Sequence, residues 1–255
     1  LQLFGAYIGY PCDDYLVDVD QTGSWSDDED WRPPTYPIYL IDLCIGRVPV
    51  NNSDMVETFL RKLDLYEDPV SLPGDFARKA LFIGDSALYP LGSSTAADDF
   101  EELNGDLDDD EIAGEGGKYL DTISELYWPQ CDPSYPSMWS SPVELSRSAA
   151  LDELDDGYNI ILHVAHSGTH AIGAQSADGL PVRQYITESD VHNMSNASEP
   201  SILFTTGCWL GHFDGAECIL ERGLFSSDDS GFIGVFAHAR SGYWGHEDYF
   251  SKFTD

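Results

Sequence analysis

Lysine is nearly missing from this chain: Lys62, Lys79, Lys118 and Lys252 are the only four among 255 residues. All basic residues together number 12 against 46 acidic ones, for a formal net charge of -34. Such a surface repels nucleic acid and anionic membranes, so neither is an expected partner. No apolar run is long enough to span a bilayer, and no signal-peptide pattern is present. The first residues lie inside an apolar stretch, "LQLFGAYIGY", which reads as part of a longer protein. Paired Cys-x-x-Cys spacing is also missing from the five cysteines, Cys12, Cys44, Cys131, Cys208 and Cys218. That argues against a zinc ribbon or a thioredoxin motif, and the odd count leaves at least one thiol free. No internal repeat is evident.

High net charge can signal disorder. Here aromatics make up 13% and hydrophobic residues 42% of the chain, enough for a buried core. The acidity fits better with a folded domain adapted to high salt. Screening shortens the reach of surface repulsion from about 10 Å at 0.1 M to about 3 Å at 1 M. This reading expects structure to be lost on dialysis to low salt.

"NSDMVETFLRKLDLYE" has helical periodicity with Asn52 or Ser53 as cap and Met55, Phe59, Leu60 and Leu63 on one face. "LQLFGAYIGY" and "YPIYLIDLCIGRVPV" read as strands, and "DPVSLPGD" as a Pro/Gly break. Residues 1–75 are therefore expected to form a smaller N-terminal sub-domain and residues 76–255 a larger one. In the second part, "ARKALFIGDSA", "YNIILHVAHSG", "PSILFTTGC" and "GFIGVFAHA" read as strands. "SSTAADDFEELNG", "SPVELSRSAALDELDDG", with Ser141 as a possible cap, and "AECILERGLF" read as helices. Apolar strands separated by helices predict a mainly parallel α/β sheet.

In such sheets, chemistry collects just beyond the carboxyl ends of the strands. Asp85 follows "ALFIG", His166-Ser167-Gly168 follows "IILHVA", and Cys208 follows "ILFTTG". An acid, a base and a thiol thus occupy equivalent places. A thiol needs a neighbouring base or an electropositive setting to become a nucleophile. Glycine beside the histidine lets a backbone N–H approach a reacting carbonyl. The pattern is that of a Cys/His dyad. Its alternative is a buried core cysteine and a loop histidine.

"IDLCIGRVPVNNSDMVETFLRKLDLYE" resembles a hallmark of the gingipain-type cysteine peptidases, Asp-x-x-Ile-Gly-Arg-x-Pro before a helix ending in Tyr-Glu. "HVAHSG" resembles their histidine block, "TTGCWLGHFD" their cysteine block, and "AECILERGLFSSDDSGFIGVFAHARSGYW" the helix, strand and pocket aromatic that follow. "PCDDYLVDVDQTG" resembles a segment near the start of their domain. The motifs occur in the family's order over nearly the whole chain.

The resemblance implies a caspase/haemoglobinase-like α/β sandwich with a mainly parallel sheet flanked by helices. It implies a secreted cysteine endopeptidase, monomeric, acting on protein or peptide substrates and needing no cofactor for its chemistry. Cys208 would be the nucleophile, His166 its partner and Asp85 the acid that orients the histidine. Ser167 and Gly168 would contribute to the oxyanion hole. Trp244 matches an aromatic wall of the primary pocket, and Asp98 falls where arginine-specific members carry a pocket carboxylate, which implies cleavage after Arg or Lys. The chain departs from the pattern at Ala165 and Ser167, which flank His166 where the family has glycines, and at Gly207, where it has Ala or Ser.

Other motifs compete. "GDSAL" resembles the block of a serine esterase family, with Ser86 as nucleophile, but that family's other blocks are not found. His163, His166, His170 and His212 form a set that could bind zinc, without a helical zinc-site spacing. Asp18 and Asp20 in "DVDQTG" alternate before a glycine, as in an oxygen-rich calcium loop, and the acidic loop 106–111 is a second such candidate. A non-catalytic, peptide-binding relative of the same fold is the remaining alternative.

Overall fold

The computed structural model describes residues 2–3, 6–7, 46–68, 70, 72–84, 122–127, 143–174, 183–215 and 217–242. The chain falls into two compact units, Leu1–Pro49 and Val50–Asp255. In the first, β1 (Gln2–Leu3) pairs antiparallel with β2 (Ala6–Tyr7). The described residues of the opening apolar stretch thus form two short paired strands where one strand was expected.

The second unit begins with helix α1 (Ser53–Glu67). Asn52 caps it, its side chain accepting the N–H of Met55 at 3.0 Å. The helix stops at Asp68, which is extended, as expected of a residue before proline. Its buried face differs from the expected one. Leu60 is 51% exposed and Lys62 is fully buried. The lysine is held because Nζ donates to three carbonyls, those of Gly223 (3.0 Å), Leu224 (3.0 Å) and Phe232 (3.1 Å). Burial pulls Lys62 down to about 8, and the nearby Asp229 and Asp228 oppose that shift.

A turn of 3-10 helix, Phe76–Arg78, leads into β3 (Lys79–Gly84). β4 (Thr122–Tyr127) and β5 (Val143–Glu144) follow, then α2 (Arg147–Asp156). The cap of α2 is Ser146, whose hydroxyl accepts the N–H of Ala149 at 3.2 Å, and not Ser141. The reason is that Val143–Glu144 joins β4 in a parallel ladder before the helix begins. Gly157 ends α2 at φ +71°, a left-handed value that glycine adopts without penalty.

Next come β6 (Ile160–Val164), β7 (Ser167–Gly168), β8 (Ala171–Ala174), β9 (Arg183–Thr187) and the short helix α3 (Glu188–His192). β10 (Ser201–Thr205), α4 (Ile219–Phe225) and β11 (Phe232–Phe236) complete the described elements. Six strands form one sheet in the order β11-β10-β6-β3-β4-β5, parallel at every pairing. β7, β8 and β9 form a separate antiparallel sheet.

The central strands are buried on both faces, as their continuous apolar runs require. Leu81, Ile83, Ile161 and Leu203 share a core cluster with Ala150 and Leu154 of α2 and with Ile219, Leu220 and Leu224 of α4. Ala80, Phe82 and Leu162 alternate with them and are equally buried. Each large apolar side chain so buried contributes roughly 1.5–3 kcal/mol. α4 lies close on β11 because residue 223 is glycine: a Cβ there would stand 2.2 Å from the Phe232 ring.

Candidate active site

β6 and β10 are neighbours in register, with Thr205 opposite His163. Thr206 makes the last contact between them, donating its N–H to the carbonyl of His163 at 3.1 Å. Past this point the two chains leave the sheet. One carries His166 and the other Cys208, both half-buried. β3 lies on the other side of β6, with Gly84 opposite Val164. Asp85, the next residue, lies outside the described residues, as do Ser86, Asp98, Trp244, Asp18, Asp20 and the loop 106–111.

The segment carrying the cysteine is held on several sides. The N–H of Gly242 donates to Cys208 Sγ at 3.3 Å. Ser167 Oγ donates to the carbonyl of Cys208 at 2.8 Å. Trp209 donates its N–H to the carbonyl of Arg240 at 2.8 Å, and Gly211 to that of His238 at 3.1 Å. Trp209 sits at φ +63°, a left-handed conformation that costs a non-glycine residue about 1–3 kcal/mol and persists only where surroundings impose it. Among the described residues nothing accepts the N–H of Cys208 itself.

Under this loop lies a buried polar chain. Gly207 donates its N–H to Thr205 Oγ1 at 3.0 Å. That oxygen lies 2.7 Å from His163 Nδ1, whose Nε2 lies 3.1 Å from the Tyr185 hydroxyl. Burial pushes His163 down to about 3, so it is neutral. Beside the loop, Arg240 holds Asp214 through both guanidinium nitrogens (2.8 and 2.5 Å) and lies 5.6 Å from the Trp209 ring. The arginine pulls Asp214 down to about 2.

The histidine side supplies backbone donors. Gly173 donates its N–H to the carbonyl of His166 at 3.0 Å, and Ser167 and Gly168 face Ile172 and Ala171 across the hairpin. Antiparallel pairs alternate between bonded and non-bonded. The Ser167 N–H therefore points away from β8, while Gly168 belongs to the bonded pair that closes the turn.

A family model described as Peptidase family C25 matches residues 2–254. The chain belongs to that family. The description is that of a peptidase family. Comparison with curated protein sequences gives no match. Among solved structures, the Arg-specific cysteine proteinase gingipain R is 15% identical over 78% of this chain and 40% of its own, with a TM-score of 0.56. A complex of the pro- and mature domains of RgpB from Porphyromonas gingivalis is 13% identical over 81% of this chain and 44% of its own, with a TM-score of 0.59. A structure described only as a protease has a TM-score of 0.57 at 15% identity, over 78% of this chain and 37% of its own. These likenesses show the shared α/β caspase-like fold. The C25 chain spans about two fifths of the length of these proteins.

The structure brings Cys208, His166 and Ser167 of the C25 chain to one end of adjacent strands. It separates the histidines that could have formed a zinc set. His163 is enclosed by Thr205 and Tyr185, His170 pairs with Glu188 at 3.3 Å, and His212 lies 3.5 Å from Asp214. Among the described residues no three His, Cys, Asp or Glu side chains converge on a metal position. Sequence reasoning missed the Ser167 hydroxyl, the Gly242 N–H, the Arg240–Asp214 pair and the chain from Tyr185 to Gly207. Only the alternation along "IILHV" pointed inward at His163.

Proposed function

We propose that this chain carries the catalytic unit of a gingipain-type cysteine endopeptidase in which Cys208 is the nucleophile and His166 its acid and base. The observation that supports it best is the pairing of strand ends: Cys208 and His166 leave adjacent parallel strands, with the Gly242 N–H on the sulfur. The thiolate attacks the peptide carbonyl. The oxyanion that forms takes hydrogen bonds from the N–H groups of Cys208 and Ser167, with Gly168 shaping the turn beside them. His166 gives its proton to the departing amine, leaving a thioester. Neutral His166 then draws a proton from water, which adds to the thioester and expels the thiolate. Asp85, placed by sequence at the end of β3, orients the imidazole. All of these groups lie within residues 76–255.

Asp98 and Trp244 are assigned to the primary pocket, with cleavage after Arg or Lys. A gingipain named for arginine specificity among the similar structures supports this. Asp18 and Asp20 are assigned to a structural calcium loop. Secretion and adaptation to high salt complete the reading, the latter on the charge of -34. Among the described residues no helix is long and apolar enough to cross a membrane.

The test is cleavage of a mixed peptide library in about 2–3 M salt, where repulsion is screened, by wild type and Cys208→Ala. Cleavage by wild type alone, at sites following Arg or Lys and weakened by EDTA, is expected. Equal cleavage by both proteins would remove Cys208 as nucleophile. Folded proteins that both bind peptide without cutting it would favour a non-catalytic relative.

A further inference from the structure

We propose that Ser167 is a positioning residue for the nucleophile, and that Ser167 and Gly207 form one interlocked pair that sets where Cys208 sits. The proposal deepens the peptidase reading and rests on it. Ser167 follows His166 directly, and Gly207 precedes Cys208 directly, so the pair spans the two chains that must meet.

Two observations carry it. A Cβ at Gly207 would stand 2.2 Å from Ser167 Oγ and 3.0 Å from Ser167 Cβ. The serine therefore occupies the volume that a side chain at 207 would need. In addition, Ser167 Oγ donates to the Cys208 carbonyl at 2.8 Å, while the other end of the same peptide unit, the Trp209 N–H, is taken by the Arg240 carbonyl at 2.8 Å. A peptide unit fixed at its oxygen and its nitrogen fixes the backbone from which the Cys208 side chain projects. Gly207 is itself held by Thr205 Oγ1. Among the described residues no group accepts the Cys208 N–H, which leaves it for an oxyanion. Ser167 reaches no substrate through its hydroxyl. It acts through Cys208.

The consequence is that residues 167 and 207 are not independent. Gly207→Ala meets the serine and displaces the nucleophile, a shift of a kind that costs on the order of a hundredfold in kcat. Ser167→Gly and Ser167→Ala both lose the hydroxyl bond, about tenfold in kcat, with KM nearly unchanged. Ser167→Gly/Gly207→Ala removes the collision. It should be faster than Gly207→Ala by about tenfold, where independent sites would make it slower. Recovery is partial because Leu210 Cδ1 would lie 2.8 Å from the new methyl.

The experiment is a double-mutant cycle read three ways: kcat and KM, thermal melting, and the rate at which iodoacetamide labels Cys208, followed by peptide mass spectrometry. A gain of the double variant over Gly207→Ala in kcat or labelling rate is the expected result. If Gly207→Ala does not fold alone, folding of the double variant is the same result in another form. Multiplicative effects, or Ser167→Ala with wild-type kcat and wild-type labelling rate, would overturn the proposal. Labelling keeps it separate from the peptidase reading. Coupling in labelling without any cleavage would keep the pair and discard the peptidase. Cleavage through Cys208 without coupling would do the reverse.

Discussion

A histidine and a cysteine stand at the rim of the sheet, and another histidine and another cysteine are each buried in the interior. At the rim, His166 and Cys208 are half-buried, and a backbone N–H points at the sulfur. In the interior, His163 is enclosed by Thr205 and Tyr185, and Cys218 is buried at the start of α4, its thiol pushed up to about 11 by burial. The residue types are the same and the chemistry is opposite. His163 lies inside β6, where both faces are covered, and His166 lies just past its end. Position relative to the last ladder bond decides whether an imidazole or a thiol can exchange protons with anything.

The comparison breaks most visibly at the rim. His166→Ala should lower kcat by about a thousandfold or more, as loss of a general base in such a dyad does. Peptide hydrolysis under saturating substrate would measure it, and a loss under tenfold would move the base elsewhere. Next in size is the contrast between the thiols. Iodoacetamide at pH 8 should label Cys208 at least on the order of a hundredfold faster than Cys218, since a thiol raised by burial carries little thiolate there. Equal rates would mean that the interior opens readily.

A further contrast concerns His163. Its folded value, about 3, lies below the ordinary 6.5. Between those values the unfolded chain binds more protons than the fold, so the stability contributed above pH 6.5 is lost as pH falls toward 3. The slope approaches about 1.4 kcal/mol per pH unit. Comparing urea midpoints of wild type and His163→Gln from pH 7 to pH 4 should show the gap between the two proteins shrinking as pH falls. A gap that stays constant would mean that His163 is not kept neutral by its burial.

Much of this was legible beforehand because parallel strands announce themselves. "ALFIG", "IILHV" and "SILFT" hold apolar runs, and the rule that chemistry lies beyond carboxyl ends singles out Cys208 and His166 as candidates. What could not be read were long-range contacts made by ordinary residues. Nothing local in "HSG" says that the serine reaches the cysteine's carbonyl. Nothing in "RSGYW" says that Gly242 turns its N–H to sulfur. Leu60 was placed on the buried face, and the structure turns it outward and buries Lys62 instead. Local periodicity does not reveal that burial, because the carbonyls that satisfy Lys62 come from segments far along the chain. Ser146 replaced Ser141 as cap because two preceding residues were drawn into a ladder that local sequence does not encode.

The three carbonyls gathered by Lys62 have a kinetic meaning. One ammonium joins α1 to the last turn of α4 and to β11, so α1 cannot lift away without unseating all three bonds together. Amide protons of α1 and α4 should therefore exchange with deuterium at a common rate, as one cooperative opening unit. The helix nearest the start of the second unit, which would otherwise be the first to fray, then opens only together with α4.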